Sequence, residues 1–222
     1  MKVVPFYPNS PDNLHCLQAC IKSVTQYYFP DKHFSDKEID VFTCFESGWS
    51  WIIAAVNWLD ELGLQIKLYS PFPYDQLILE GEKFMKKFKG EAVYEYEKQN
   101  GSYKNLQLIQ KSAELMITRK LWEQNKLNNS DLAQLLKNEQ VLAIGKTVYE
   151  WLSGNYLPLE KLHSHYVLII KEYSPGIWKV HDPGLPPAPE RKVSNTINNH
   201  DIFGDILVIA RNMSAKTNIK NS

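Results

Sequence analysis

Three cysteines are too few, and wrong in parity, for a disulfide framework; Cys16, Cys20 and Cys44 read instead as free thiols of a reducing compartment. Net charge is missing too. Twenty-five Lys and Arg face 25 Asp and Glu, which argues against nucleic acid or an anionic membrane as the main partner, since either would favour a basic patch. The Lys-rich run KKFKG at 86–90 is balanced by the EAVYEYE that follows and belongs to a solvated face. No apolar run is long enough to span a bilayer: WIIAAVNWL and HYVLII fall far short of the roughly 20 residues required. The start, MKVVPFYPNSPDN, sets prolines where a signal peptide needs an unbroken apolar stretch. A cytoplasmic location is therefore expected, with secretion by a signal-less route left open. Neither G-x-x-x-x-G-K-[ST] nor G-x-G-x-x-G occurs, so nothing supports nucleotide binding. There is no internal repeat and no low-complexity tract.

What is present is ordinary globular composition, 222 residues with 44% apolar and 23% charged, enough for one large domain or two lobes sharing a cleft. VVPFYPNSPDN reads as irregular backbone. A helix follows on the spacing of Leu17, Cys20, Ile21, Val24 and Tyr28, with Asp12 or Asn13 as its cap and Pro30 as its stop. Ser35 to Glu38 form a capping box for a short helix. WSWIIAAVNWLDEL is a buried helix closed by Gly63. QIKLYS alternates as a strand. YDQLILEGEKFMKKF, NLQLIQKSAELMITRKLWEQNK and NSDLAQLLKNE read as helices. From Val141 the period changes to two: VLAIGKTVY, HYVLIIKEY, IWKVHDP and DILVIAR are expected strands, with SPG at 174–176 turning the second into the third. The expected class is α+β, with a helical N-terminal lobe over about 1–135 and a C-terminal antiparallel sheet lobe over about 136–211. The polar segment 212–222 is an expected frayed tail.

The stretch DNLHCLQAC holds the candidate chemistry. Cys16 falls in the first turn of a helix, where unpaired N–H groups face outward, and a helix N-terminus beside an imidazole favours the thiolate. Cys20 lies one turn on, among Leu17 and Ile21, and is expected to be core; Cys44 is expected to be inert. A nucleophilic thiol needs a base and the base an orienter. His165 opens the strand HYVLII, and Asp182 ends the next strand of the hairpin, where it returns beside His165. His163 is read as a loop or surface residue, and His181, next to Asp182, points away from the site by alternation. His15 is read as a solvated neighbour before it is read as catalytic. Trp49 and Trp51 are candidates for a cleft wall, and GLPPAP for a stiff loop at its edge. Zinc on Cys16, Cys20, His163 and His165 is the competing chemistry, but the spacing matches no usual zinc pattern.

Cysteine early, with His and Asp far downstream, is papain-type spacing, and the motifs carry a resemblance. CLQACIKSVTQYY is similar to the CGPAALAMVLRYY-like opening of the bacterial bacteriocin-processing (double-glycine) peptidases, a papain-like cysteine peptidase family. HYVLIIKEY with WKVHDPG matches their H-[FY]-V-V-V and DP segment. His15-Cys16 ahead of the helix resembles the N-terminal domain of the butirosin biosynthesis protein H family, a relative that transfers acyl groups. The resemblance implies a single papain-like catalytic domain over 1–222 that needs no cofactor or metal. It implies Cys16 as nucleophile, His165 as base and Asp182 as orienter, acting on a peptide or amide substrate. With no transporter segment following, a separate exporter or biosynthetic partner is expected. The motif departs in two places. Leu17 replaces the usual Gly, and the oxyanion Gln is absent, leaving Asn9, after a one-residue shift, or Asn13 as amide donor. Losing one oxyanion donor costs about a hundred- to a thousandfold in rate. That departure keeps open a catalytically inactive peptide-binding module, and the butirosin relative keeps open an acyltransferase with the same triad.

Overall fold

The first helices follow from apolar spacing and local caps. The computed structural model describes residues 3–45, 50–99, 101, 103, 105–148, 152, 164–197 and 200–211; the expected frayed tail, His163 and Trp49 lie outside them. Helix α1 spans Cys16–Tyr28, α2 Asp36–Phe42 and α3 Ile52–Glu61. Residue Phe29, before Pro30, leaves helical geometry and ends α1. The Ser35–Glu38 capping box opens α2 in both directions, and Gly63 follows α3 at φ 88°. The cap of α1 differs from expectation. Asn13 turns at φ 61°, and Asp12 accepts the Leu14 N–H at 3.1 Å and the Ser10 hydroxyl. It is Asn9, six residues back, whose Oδ1 accepts the His15 N–H at 2.7 Å.

Strand β1 is Leu64–Tyr69, followed by α4 Tyr74–Glu80, α5 Glu82–Lys89, α6 Glu91–Gln99 and α7 Leu106–Thr118. The expected single helix over 74–88 is two helices, because Gly81 takes φ 51° between them. Gln110 of α7 donates to the last-turn carbonyls of Leu77 and Ile78 at 3.1 and 3.2 Å. α7 also stops early. Lys120 turns at φ 58°, and Leu121 gives its carbonyl to the Leu68 N–H at 2.7 Å, so the chain continues as β2 (Trp122–Glu123) parallel to β1. An unpaired strand edge has outweighed helix propensity here.

The rest is α8 Asn129–Leu136, β3 Val141–Val148, β4 Ser164–Ser174, β5 Ile177–Asp182, β6 Ala188–Ser194, β7 Thr196–Ile197, β8 His200–Asp201 and β9 Ile206–Arg211. Seven strands form one sheet in the order β2-β1-β9-β3-β4-β5-β6, antiparallel except β1 with β2. The class is α+β. The sheet is not confined to 136–211, because β1 pairs with β9 over its full length. Both faces are covered. Tyr166, Leu168 and Ile170 of β4 join the core under α1, α3 and α7, while Val167 and Ile169 join a second core with Trp178, Val180 and Leu132 and Leu136 of α8. This two-sided burial explains why HYVLII reads as an unbroken apolar run. Pro175 and Gly176, the latter at φ 77°, turn β4 into β5 at the expected place. Among the described residues no helix is long and apolar enough to cross a membrane.

Candidate active site

Three elements bring the expected residues together. Cys16 is the first residue of α1, His165 the second of β4 and Asp182 the last of β5. α1 packs on β4, and the β4–β5 hairpin sets His165 beside Asp182 with His165 Nε2 and Asp182 Oδ1 2.7 Å apart. An ionised carboxylate only accepts, so Nε2 carries the proton. The Cys16 side chain hydrogen-bonds the His165 ring as well. His165 is 3% and Asp182 1% exposed.

Burial alone would strip the ring of its proton. Hydrogen bonds to Asp182 and Cys16, and the negative charge on both, reverse that, and His165 is pushed up to about 9. Burial likewise works against the charge on Asp182. The His165 ring, the Gly184 N–H at 2.9 Å and the Arg191 cation outweigh it, and the carboxyl is held below its usual range. The site thus holds a protonated imidazole against an ionised carboxylate at neutral pH.

The other two thiols differ. Cys20, beneath Cys16 in the core, is pushed well up by burial, with Cys16 and Asp182 adding to it. Burial also raises Cys44. Among the described residues no three His, Cys, Asp or Glu side chains gather as metal ligands.

Asn9 and Asn13 meet each other at the mouth of α1. Asn9 Nδ2 donates to Asn13 Oδ1 at 2.9 Å, and the Asn9 backbone N–H donates to Pro183 O at 2.8 Å. Asn9 therefore lies between the start of α1 and the loop after Asp182. Its Oδ1 accepts from the N–H groups of Ser10 and His15, and its Nδ2 is the donor to Asn13.

His15 and His181 have other neighbours. His15 is not a solvated neighbour: Nδ1 lies 2.6 Å from Ser10 Oγ, Nε2 3.6 Å from Asp40, and the ring rests on Phe45. His181 packs edge-on against Phe6 at 5.5 Å, and burial, aided by Lys179, pushes it down to about 4. Trp51 caps the start of α3 and tilts against Tyr103. Leu185, in the GLPPAP loop, is exposed and joined to Pro186 by a cis peptide.

One charged residue beside Asp182 escaped the sequence reading. Arg191 of β6 places Nε 2.9 Å from Asp182 Oδ2, off the line of the N–H bond, so the contact is an ion pair rather than a hydrogen bond. Its Nη1 donates to Leu152 O at 2.7 Å. Its place is set by an irregular pairing, Val180 with Arg191 but Asp182 with Ala188, which leaves no local signal in the sequence.

No family model and no curated protein matches the chain. Among solved structures it is similar to the peptidase domain of Streptococcus ComA, a bi-functional ABC transporter involved in a quorum sensing pathway. The identity is 10% and the TM-score 0.47, over 95% of this chain and 100% of that one. It is also similar to a double glycine motif protease from an AMS/PCAT transporter in complex with the leader peptide. There the identity is 13% and the TM-score 0.46, over 95% of this chain and 94% of that one. At these values neither likeness carries the functional reading, which rests on the geometry above.

Proposed function

We propose that the chain is a papain-like cysteine peptidase or amidohydrolase with Cys16 as nucleophile, His165 as acid and base, and Asp182 as the orienter of His165. The observation that carries this reading is the buried His165–Asp182 pair hydrogen-bonded to a cysteine at a helix start. A ring that titrates near 9 is already protonated at neutral pH, and Cys16 beside it is the proposed nucleophile. Its Sγ attacks the carbonyl carbon of a peptide or amide, and the carbonyl oxygen becomes an oxyanion. Asn9 Nδ2 and the free N–H groups of the first turn of α1 are the proposed donors to it. The tetrahedral adduct collapses as His165 protonates the departing amine, leaving a thioester on Cys16. Water, deprotonated by His165, then attacks the thioester and releases the acid and the free thiolate. Asp182 holds the tautomer and stabilises the cationic ring throughout.

The test is iodoacetamide labelling at pH 7, mapped by mass spectrometry onto the three cysteines. Cys16 is expected to react at least about tenfold faster than Cys44 and Cys20, and His165→Ala to remove that advantage. Equal labelling of all three, or a Cys16 rate indifferent to His165, sinks the reading.

A further inference from the structure

We propose that Arg191 is a positioning residue of this site, a guanidinium that fixes the Asp182 carboxylate so that Oδ1 rather than open space faces His165. The inference rests on the triad reading above and adds a fourth residue to it. The geometry is that of a clamp with two anchors. On one side Arg191 Nε meets Asp182 Oδ2 at 2.9 Å. On the other, Nη1 holds Leu152 O at 2.7 Å. The carboxylate is then engaged at both oxygens, because Oδ1 accepts from His165 Nε2 at 2.7 Å and from the Gly184 N–H at 2.9 Å.

A buried carboxylate with one oxygen unmatched would rotate or take up a proton. Either change would loosen the bond that keeps the imidazole in its working tautomer. The strand pairing supplies the reach. Val180 is paired with Arg191, whereas Asp182 is paired with Ala188, so three residues of β6 span what two of β5 do. That irregularity draws the Asp182 end of β5 against the Arg191 side chain. A lysine cannot replace it, since a single ammonium has no planar fork to span a carboxylate and a carbonyl. Besides each other, the charged and titratable groups acting on Asp182 and His165 include Cys16, Cys20 and Arg191.

Charge and position predict opposite signs. If Arg191 acted only as a nearby cation, removing it would favour the imidazolium, and His165 would titrate higher. If it positions Asp182, removing it frees the carboxylate, and His165 falls toward the ordinary value of about 6.5. The experiment is histidine NMR titration of the full chain, wild type against Arg191→Met and Arg191→Lys, with iodoacetamide labelling of Cys16 at pH 7 alongside. The expected result is a His165 midpoint lower by at least about one unit in both variants, with slower Cys16 labelling in proportion. A midpoint unchanged or raised in either folded variant overturns the inference. If Arg191→Met does not fold, Arg191→Lys, which keeps the charge, decides the question alone. The wild-type titration separates this failure from failure of the triad: a wild-type midpoint near 6.5 would remove the triad itself, whereas one near 9 that ignores Arg191 removes only the clamp.

Discussion

His165 and His181 sit on adjacent strands of one hairpin, 3% and 8% exposed, and their acidities diverge. His165 is pushed up to about 9 and His181 down to about 4. Burial acts on both in the same direction, against the charged ring. The difference is the partner. His165 has a carboxylate at 2.7 Å and a thiol on its other side. His181 has the ring of Phe6, the repelling Lys179, only a weaker opposing attraction from Glu190, and an Nδ1 with no hydrogen-bond partner among the described residues. Depth decides how strongly a histidine is perturbed; the neighbour decides in which direction. A buried imidazole therefore becomes a site only where the fold also delivers an anion to it.

The sharpest way to break the contrast is Asp182→Asn, which keeps the shape and removes the charge. His165 should then behave as His181 does, its midpoint falling from about 9 to the ordinary value or below. Because breaking a buried ion pair costs about 3–5 kcal/mol, urea unfolding at pH 7 should show a loss of that order. A variant as stable as the wild type would mean the pair contributes little. The wild-type pH profile carries the same information. A raised histidine stabilises fully below its unfolded value of about 6.5 and loses that contribution as pH climbs. The His165 contribution should thus fade between about 6.5 and about 9.

His181 predicts the reverse in a different window. Its folded value is depressed, so its neutral form is fully stabilising above about 6.5, and that contribution drains as pH falls toward about 4. His181→Gln should flatten the acid-side loss by up to about 3 kcal/mol while leaving the alkaline side alone. Stability followed by urea midpoint from pH 4 to pH 10 would check both limbs. An acid limb unchanged in His181→Gln would assign it to other groups.

How much of this could be read from the chain depended on the range of the forces involved. The hairpin was legible because Pro175 and Gly176 announce a turn between two period-two runs, and once the hairpin exists His165 and Asp182 must approach. Cys20 as core followed from helical spacing with Leu17 and Ile21. Arg191 was not legible: APERKVS follows a proline-rich loop, and its pairing with β5 is set by an irregular register that leaves no local signal. The early end of α7 was hidden for the same kind of reason, since the open edge of β1 that captures Trp122 lies more than 50 residues away in the chain. Asn9 was found as an amide near the helix start, but not as the cap of α1, because Asp12 and Asn13 are nearer and propensity alone favours them.

The finest adjustment of the contrast is to change the depth of His181 without giving it a charge. Phe6 covers the ring edge-on at 5.5 Å and supplies part of the burial that depresses it. Phe6→Ala opens that side to water, so the desolvation cost falls while Lys179 stays in place. The His181 midpoint should climb part of the way from about 4 toward about 6.5, and it should stop short of that value because the lysine still repels the charged ring. His165, which owes its elevation to Asp182 and Cys16, should not move. Histidine NMR reads both rings in one titration. A His165 midpoint that shifted with Phe6 would mean the two histidines share an environment after all, and the separation of depth from partner would fail.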